Sequence, residues 1–305
     1  MTSEKTDNRG AFTIVALPDT QMYSDRYPEI FRAQTEWIVE QASRLNIHMV
    51  WHLGDVVRFG GEDERAWENA KQAMRLLDDA GIPCLIAIGN HDYDSQLQVD
   101  RSASFFNRYF GIERYAGRPW FGGAFEPGRS ENVYAVTEAG GERYLHLLLE
   151  FGPRKAVVEW ADAVVRAHAD HRVFVVTHGY MHYHNGRTGP GDEWNPHSYP
   201  GAADDAHDGE ELWSAFVSRH PNIRWVHSGH ILNGGQGLRT DAGVHGNLVH
   251  QVASNFQTYR NGGDGWLRLL RVKPAQGVIE SETYSPYRGE YFKGEIGLHR
   301  YTLPW

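Results

Sequence analysis

The sequence predicts an α/β fold, and two observations support that prediction. The first part of the chain alternates short apolar, β-rich runs with segments of helical periodicity, which is typical of βαβ units. Five apolar runs along the chain each end in a polar, metal-capable group, and ligands of open α/β sheets bind beyond the carboxyl ends of strands. We therefore expect one edge of a sheet to gather ligands around metal.

The alternating elements begin after a polar N-terminal segment. We expect residues 1–10 to be a flexible N-terminus and residues 11–305 to form a single domain. In the helix predicted from Pro28, the apolar residues Ile30, Phe31 and Trp37 lie near one face and are expected in the core. The predicted elements of this part are strand 12–17, helix 28–45, strand 49–53, helix 64–80 and strand 84–88.

The second part of the chain reads as a sheet with fewer helices. Ala139 to Glu142 separates two β-rich runs and predicts a hairpin turn. The long loop 179–208 has no sustained periodicity, and such loops often bind ligands, so the substrate rim is expected there. The remaining predicted elements are a helix around 105–109, strands 133–137 and 144–150, helix 155–167, and strands 173–176, 223–226, 248–253, 266–272 and 278–284.

Composition restricts the class of protein. Apolar residues make up 41% of the 305 residues, which is enough for a substantial core. The net charge of −9 lacks the basic stripe of a nucleic-acid binder, so an extended nucleic-acid groove is not expected. Cys84 has no partner for a disulfide, and no secretory signal or membrane-spanning run is visible, so a soluble cytoplasmic protein without membrane contact is expected.

The strand-end groups contain what a two-metal hydrolytic site needs. Such a site requires a carboxylate that bridges the ions, further oxygen and imidazole ligands, and an open position for water and substrate. Asp55 is the predicted bridge. The other predicted ligands are Asp19 and Gln21 on one ion and Asn90, His178 and His230 on the other.

In their order and strand-end positions, these groups resemble the calcineurin-like metallophosphoesterases, whose pattern is D-x-H, G-D, G-N-H-[DE], a separate His, and G-H-x-H. The Gly89-Asn90-His91-Asp92 segment is the most specific element, and Pro18-Asp19-Thr20-Gln21 resembles the variant of a bacterial branch. The resemblance implies a four-layer α/β/β/α sandwich of two mixed sheets flanked by helices. It also implies hydrolysis of a phosphomonoester or phosphodiester by a metal-bound hydroxide at two divalent ions.

The same resemblance implies roles for two residues that do not bind metal. His91 would contact the phosphate and protonate the leaving oxygen, and Asp92 would orient its imidazole. The chain departs from the family pattern where Gln21 replaces the first histidine and Leu232 replaces the last. Either Asn233 or a water would complete the first metal site.

Substrate contacts are expected from the loop that follows His178. The candidates are Tyr180, His182, His184 and Arg187, although anchoring of the loop is an equally ordinary role for these residues. Three further polar residues end or follow predicted strands: Glu150, Asn255 and Gln257. Each is expected either to position a side chain of the metal site or to be solvated. The expected partner is a small phosphorylated substrate, and the expected ions are manganese, iron or zinc.

Two other functions remain open from the sequence. Gln21 and Leu232 are compatible with a binding or regulatory protein that holds a single ion and has reduced catalysis. The aromatic loop is compatible with a metal-dependent hydrolase or lyase of a glycoside-like, non-phosphate substrate. The choice between monoester and diester, the identity of the metal and the oligomeric state are not determined by the sequence.

Overall fold

The computed structural model describes residues 9–294 and 296–305. Most of the predicted flexible segment 1–10 therefore lies outside the described residues. The strands, in chain order, are β1 (Phe12–Leu17), β2 (Ile47–His52), β3 (Cys84–Ile86), β4 (Phe121–Ala124), β5 (Val133–Ala139), β6 (Glu142–Leu149), β7 (Arg172–Thr177), β8 (Ile223–Ser228), β9 (Gln236–Ala242), β10 (Leu248–Ser254), β11 (Leu267–Lys273), β12 (Val278–Ser285), β13 (Glu290–Tyr291) and β14 (Arg300–Pro304).

Helices fill the connections between several of these strands. In chain order they are α1 (Gln21–Arg26), α2 (Pro28–Gln41), α3 (Glu64–Asp79), α4 (Ser104–Phe110), α5 (Lys155–Ala167), α6 (Gly209–Ala215) and α7 (Ile296–His299). Asp63 begins α3 by accepting a hydrogen bond from the backbone N–H of Ala66, and Pro28 occupies the first turn of α2. Within the described part of the chain, no helix is both long enough and apolar enough to cross a membrane, and the predicted cytoplasmic location stays a prediction.

The strands form two mixed sheets. The first runs β13-β12-β11-β1-β2-β3, with β14 also paired to β12, and the second runs β4-β5-β6-β7-β8-β10-β9. Strands β1, β2 and β3 are parallel to one another, as are β6, β7 and β8, while the predicted hairpin β5–β6 is antiparallel. The five strand ends with metal-capable groups therefore belong to two sheets, so the expectation of one sheet edge is wrong.

Both sheets bury both of their faces. Ile14 of β1 lies in the apolar cluster between the sheets together with Phe174 of β7, whereas the next residue, Val15, packs with Phe31 of α2. On β7, Val173 packs outward into the cluster that contains α5. Each large apolar side chain buried in this way contributes about 1.5–3 kcal/mol. Two mixed sheets flanked by helices confirm the predicted four-layer sandwich.

Two elements near the site are absent from the sequence-based prediction. The helix α1 has only six residues, too few to show a helical period. Strand β9 is an edge strand, paired only to β10, and its second half, Arg239 to Ala242, is mostly polar and partly or fully exposed, so its pattern resembles that of a loop. Both elements follow directly on predicted ligand segments, and α1 begins at Gln21 itself.

Candidate metal centre

The predicted ligands lie in sharp turns at the ends of strands. The backbone φ angles of Asp19, Asp55 and His230 are 22°, 52° and 68°, in the left-handed region that side-chain-bearing residues seldom adopt. Asp19 follows β1, Asp55 follows β2 and His230 follows β8. Backbone strain of this kind costs on the order of 1–3 kcal/mol per residue and is concentrated at functional sites.

Two glycines of the sequence motifs are required by the close approach of these turns. A Cβ atom on Gly89 would lie 2.2 Å from Asp55 Oδ1, and one on Gly229 would lie 2.4 Å from Asp19 Oδ2. Neither contact is sterically possible, because both neighbours are buried carboxylates with little freedom to move. Gly89 therefore lets two ligand turns of the first sheet touch, and Gly229 lets a turn of the second sheet touch the Asp19 turn of the first.

Three of the predicted ligands come together as a buried cluster. One ligand atom each from Asp55, His178 and His230 lies within 4.8 Å of the other two. The Nε2 atom of His178 is 3.2 Å from Asp55 Oδ1 and 3.9 Å from Asp19 Oδ1. Asp55 and Asp19 belong to the first sheet and the histidines to the second, so the centre lies where the carboxyl ends of both sheets meet.

The polar atoms of the centre fit a cation. Asp19 Oδ2 and Asn90 Oδ1 are buried and have no hydrogen-bond partner among the described residues. Buried polar atoms of this kind are costly unless they are paired or coordinate a metal. Carboxylate oxygen, amide oxygen and imidazole nitrogen are also the donors that manganese, iron and zinc accept in proteins. The residues present therefore fit divalent metal ions.

Neighbouring carbonyl groups set the orientation of the two histidines. His178 Nδ1 donates to the backbone oxygen of Leu53 at 2.8 Å, so its Nε2 faces Asp55 as the free ligand nitrogen. His230 Nε2 donates to the backbone oxygen of Trp194 at 2.9 Å, which leaves Nδ1 as its ligand nitrogen. Hydrogen bonds of this type fix the tautomer of a metal-binding histidine and raise its basicity.

Burial and neighbouring charges shift the pKa values of the ligand side chains in this centre. Burial lowers the pKa of His178, but the Asp55 carboxylate outweighs it and raises that pKa to about 9. Burial raises the pKa of Asp55, but His178 and His91 hold it well below the usual range. For Asp19, burial dominates and raises the pKa well above its ordinary value. The proton on His178 Nε2 therefore occupies the position beside Asp55 that a bound cation would take.

Gln21 reaches the centre through its amide nitrogen. Its Nε2 donates to Asp55 Oδ2 at 2.9 Å and to Gln257 Oε1 at 2.7 Å. Only the amide oxygen of Gln21 can bind a metal, so the predicted role requires the amide to rotate by half a turn. Gln257 in turn is held by its neighbour, since the Gln257 backbone N–H donates to Asn255 Oδ1 at 2.9 Å. Gln21 therefore lies beside Asp55, and its role as a ligand of the first ion stays a prediction.

The position of the missing last histidine does not supply a replacement ligand. Leu232 is half-buried, and Asn233 is exposed in a left-handed turn with φ of 52°. The chain then folds back, with Gly235 N–H donating to Leu232 O at 3.1 Å. Asn233 is therefore not part of the buried ligand cluster, whereas Gln257 contacts a predicted ligand directly.

His91 lies at the margin of the centre. Its backbone N–H donates to Asp55 Oδ1 at 3.0 Å, and its ring is only half-buried. The Nδ1 atom lies 2.9 Å from Arg58 O and 2.7 Å from Gln96 Oε1, so both acceptors place the proton on Nδ1. The Nε2 atom is then the nitrogen available to a substrate. This arrangement is compatible with the predicted role in protonating a leaving oxygen.

Asp92 does not orient His91, and that prediction is wrong. Its Oδ1 accepts from Val57 N–H at 3.0 Å and its Oδ2 from Gly89 N–H at 2.8 Å. Both oxygens are thus used to hold the single turn of 3₁₀-helix from Asn90 to Asp92 against the turn after Asp55. Arg58 O and Gln96 orient the imidazole instead. Short polar side chains favour such local backbone bonds, a reading that sequence alone does not separate from catalysis.

Two of the predicted substrate-binding residues have structural partners instead. Tyr180 is fully buried and donates through its hydroxyl group to Gln251 Oε1 at 2.9 Å. Arg187 is buried and forms ion pairs with Asp241 at 2.6 Å and Glu210 at 3.0 Å. Both side chains anchor the loop onto the second sheet, so neither is placed to contact substrate.

His182 and His184 lie together in the same loop, with ring centroids 4.2 Å apart. His182 is buried and His184 is about half exposed. They form a separate group with Asp192. They are therefore brought together with each other, apart from the three clustered ligands of the metal centre.

The structure also adds an aromatic wall that sequence reasoning did not assign. The Phe151 ring is 4.9 Å from the His230 ring and 5.9 Å from the His178 ring, centroid to centroid. The Tyr199 ring is 5.2 Å from the Phe151 ring and 6.5 Å from the His230 ring. Phe151 follows Glu150 at the end of β6, so the only sequence signal was its position just beyond a strand. An apolar wall of this kind strengthens the electrostatic interactions of the adjacent ligands.

The geometry agrees with the comparisons to known proteins. The family model for calcineurin-like phosphoesterases matches residues 12–234. Among solved structures, a dimetal phosphatase from Danio rerio superposes with a TM-score of 0.56 at 12% identity, covering 96% of this chain and 98% of that one. A purple acid phosphatase from yellow lupin (Lupinus luteus) seeds also gives 0.56 at 13% identity, covering 96% of this chain and 54% of that one. At these identities the superpositions show a shared fold.

A curated relative is more similar in sequence. The uncharacterized protein YvnB of Bacillus subtilis (strain 168) is 32% identical over 282 residues, which is 90% of this chain. The match is 20% of that protein's length, so the chain spans about a fifth of its relative. The family match covers most of the chain and includes all the predicted metal ligands, and it implies divalent metal cofactors. The chain belongs to the calcineurin-like phosphoesterases, a family of phosphoric ester hydrolases.

Proposed function

We propose that this chain hydrolyses a small phosphate ester with two divalent cations bound at the candidate metal centre. The observation that carries the proposal is the buried cluster of Asp55, His178 and His230, whose ligand atoms lie within 4.8 Å of one another. His91, bonded to Asp55 through its backbone, adjoins this cluster with one ring nitrogen free. A metal cluster next to a proton donor is the arrangement that ester hydrolysis requires.

Each residue has a defined task in this proposal. When bound, the cations activate water and neutralise charge on the phosphoryl oxygens. Asp55 would be shared by both ions. Asp19 and Gln21 would hold one ion, and Asn90, His178 and His230 would hold the other, which the contacts of Asp55 with His178 and Gln21 support.

His91 supplies the proton for the departing oxygen. In its charged form both ring nitrogens carry protons, so Nε2 gives one up while Nδ1 stays bonded to Arg58 O and Gln96 Oε1. The ring therefore keeps its orientation while its charge changes. A positioned general acid of this kind contributes about 10²–10⁴-fold in rate.

The test is metal-dependent hydrolysis of generic mono- and diester substrates by the full chain, stripped with chelator and reloaded with manganese, iron or zinc. His91→Ala is expected to lower kcat by about 10²–10⁴-fold with an unchanged content of bound metal. His245→Ala, which removes an exposed histidine outside the centre, is the matched control and should retain full activity. Full activity in His91→Ala, or no hydrolysis with any of the metals, would contradict the proposal.

Counting ions separates the two-metal reading from a single-ion binding protein. The single-ion alternative is favoured by Leu232 and by the amide nitrogen that Gln21 turns toward Asp55. Asp55→Ala removes the bridging carboxylate and should release both ions of the centre. The release of two ions per chain together with turnover in the parent protein supports the phosphoesterase. A single released ion without turnover would support the binding protein.

A further inference from the structure

The loop between β7 and α6 carries a second group of metal-capable side chains. One ligand atom each from His182, His184 and Asp192 lies within 4.8 Å of the other two. The Nε2 atom of His184 is 3.9 Å from Asp192 Oδ1. A tetrahedral ion with bonds of about 2.0–2.1 Å holds its ligands roughly 3.3 Å apart, so closing this pair around an ion needs a shift of less than about 1 Å.

The backbone of the loop holds these side chains together. His182 N–H donates to Gly186 O at 2.8 Å, which closes a tight turn and keeps the His182 and His184 rings side by side. Asn185 Oδ1 fastens the turn to β9 by accepting from Leu238 N–H at 2.9 Å. Asp192 is fixed through Oδ2, which accepts from Gly189 N–H at 2.8 Å, so its Oδ1 remains toward His184. The donor groups are therefore largely preorganised.

His182 is the observation that points to a ligand. Its side chain is only 4% exposed, yet neither ring nitrogen has a hydrogen-bond partner in the described part of the chain. A buried imidazole in this state loses the hydrogen bonds it made to water without replacement, which is unfavourable unless a ligand or ion takes their place.

Another histidine–carboxylate group in the same loop shows the contrast. His197 lies near Asp208 and Glu211, but its Nδ1 contacts Ala203 O at 2.7 Å and its Nε2 contacts Glu211 at 2.6 Å. Asp208 caps the start of α6. All these groups are satisfied by protein atoms, so this cluster has no need of an ion.

We propose that His182, His184 and Asp192 bind one transition-metal cation of the zinc class, separate from the ions of the candidate metal centre. Two imidazoles and one carboxylate suit zinc, nickel, cobalt or copper better than magnesium or calcium, which prefer oxygen ligands. Water would complete a tetrahedral shell. The proposal does not depend on phosphoesterase activity.

Binding requires one local exchange at His184. In the ion-free chain its Nδ1 accepts from Gly186 N–H at 3.1 Å, which places the ring proton on Nε2. Coordination through Nε2 moves that proton to Nδ1 and replaces the Gly186 hydrogen bond with a metal bond. The His184 side chain is 51% exposed, so its ring has room to make this adjustment.

An ion in this position would restrain a segment that reaches the metal centre. Asp192 is two residues before Trp194, whose carbonyl oxygen accepts from His230 Nε2 at 2.9 Å. Fixing Asp192 therefore limits the motion of the group that orients His230. The proposed ion is structural: it holds the loop that orients His230, and it does not contact the substrate of the candidate metal centre.

The test is a zinc and cobalt titration of the chelator-stripped full chain, followed by calorimetry and by the visible spectrum of bound cobalt. His184→Ala removes an exposed ligand, and Asp192→Asn keeps an oxygen for the Gly189 N–H, so both variants should fold. Each is expected to bind one ion fewer per chain, or to bind that ion at least about 100-fold more weakly, beyond the 10–100-fold effect of outer-shell changes. His245→Ala is the control and should bind as many ions as the parent.

The outcomes distinguish this proposal from the proposed function. If His184→Ala and Asp192→Asn bind as many ions as the parent, with the same affinities and the same cobalt spectrum, the second site is refuted, whatever the activity. If both variants lose one ion while Asp55→Ala retains that ion, the second site stands even for a chain without turnover.

Discussion

Asp92→Asn tests whether Asp92 holds the ligand turns or acts on His91. The two carboxylate oxygens accept from two different backbone N–H groups, those of Val57 and Gly89, and the side chain is fully buried. Asparagine offers one oxygen and one NH₂ group, so one N–H loses its acceptor and faces a donor. An unsatisfied buried donor costs about 1–3 kcal/mol, and we expect that loss in the free energy of unfolding.

One compensating effect sets the conditions of the measurement. Burial, together with the nearby Asp55 carboxylate, raises the pKa of Asp92 to about 7 in the ion-free chain. At pH 8 the carboxylate is mostly charged, and the asparagine variant regains part of the cost of burying that charge. The net loss should therefore fall toward the lower half of the range. Asp92→Ala removes both acceptors and should lose more than Asp92→Asn.

The assay is urea unfolding of the chelator-treated protein at pH 8. The m value, the dependence of the unfolding free energy on urea concentration, should be the same for parent and variants, so that their free energies can be compared. Asp79→Asn on the exposed end of α3 is the control and should change the unfolding free energy by less than about 0.5 kcal/mol. A second readout is kcat with metal restored. If Asp92→Asn leaves stability unchanged but reproduces the kcat loss of His91→Ala, then Asp92 acts on His91 and our reasoning is refuted.

Two further predictions concern the metal centre. In the chelator-treated protein, the unfolding free energy should fall by up to a few kcal/mol as pH rises from 6.5 to 9. The reason is the pKa of His178, which burial lowers but the Asp55 carboxylate raises more strongly, from 6.5 to about 9. The stabilisation by protonated His178 is fully present below pH 6.5 and is lost as pH rises through 9. Saturating metal should abolish this pH dependence of the unfolding free energy. Urea midpoints that stay constant between pH 6.5 and 9 would contradict the prediction. Gln257→Ala removes the acceptor at 2.7 Å that holds the amide nitrogen of Gln21 toward Asp55, so rotation of the amide oxygen to an ion breaks one hydrogen bond fewer. Metal binding should therefore tighten about 2–10-fold, measured by competition with a chelating dye; weaker binding would show that Gln257 supports Gln21 as a ligand.

The ligand set was predictable because it is written in local sequence. A buried strand followed by Asp, Asn or His at a sharp turn is a short-range pattern. The strand before Asp19 ends at the predicted residue, and those before Asp55 and His178 end within one residue of it. The hairpin β5–β6 and the helix α5 follow from local periodicity in the same way. Edge strand β9 and short helix α1 were missed, since their patterns are too short or too polar to show a period.

The meeting of ligand turns from two different sheets and the roles of neighbouring side chains were decided by tertiary structure. His178 is oriented by Leu53 O, 125 residues away in sequence, and Gln21 is held by Gln257, 236 residues away. No local pattern reports such contacts, because they exist only after the two sheets pack face to face. Asp92 shows the same limit at short range. Its sequence position suits both capping and catalysis, and only the placement of Val57 and Gly89 against its oxygens shows the capping role.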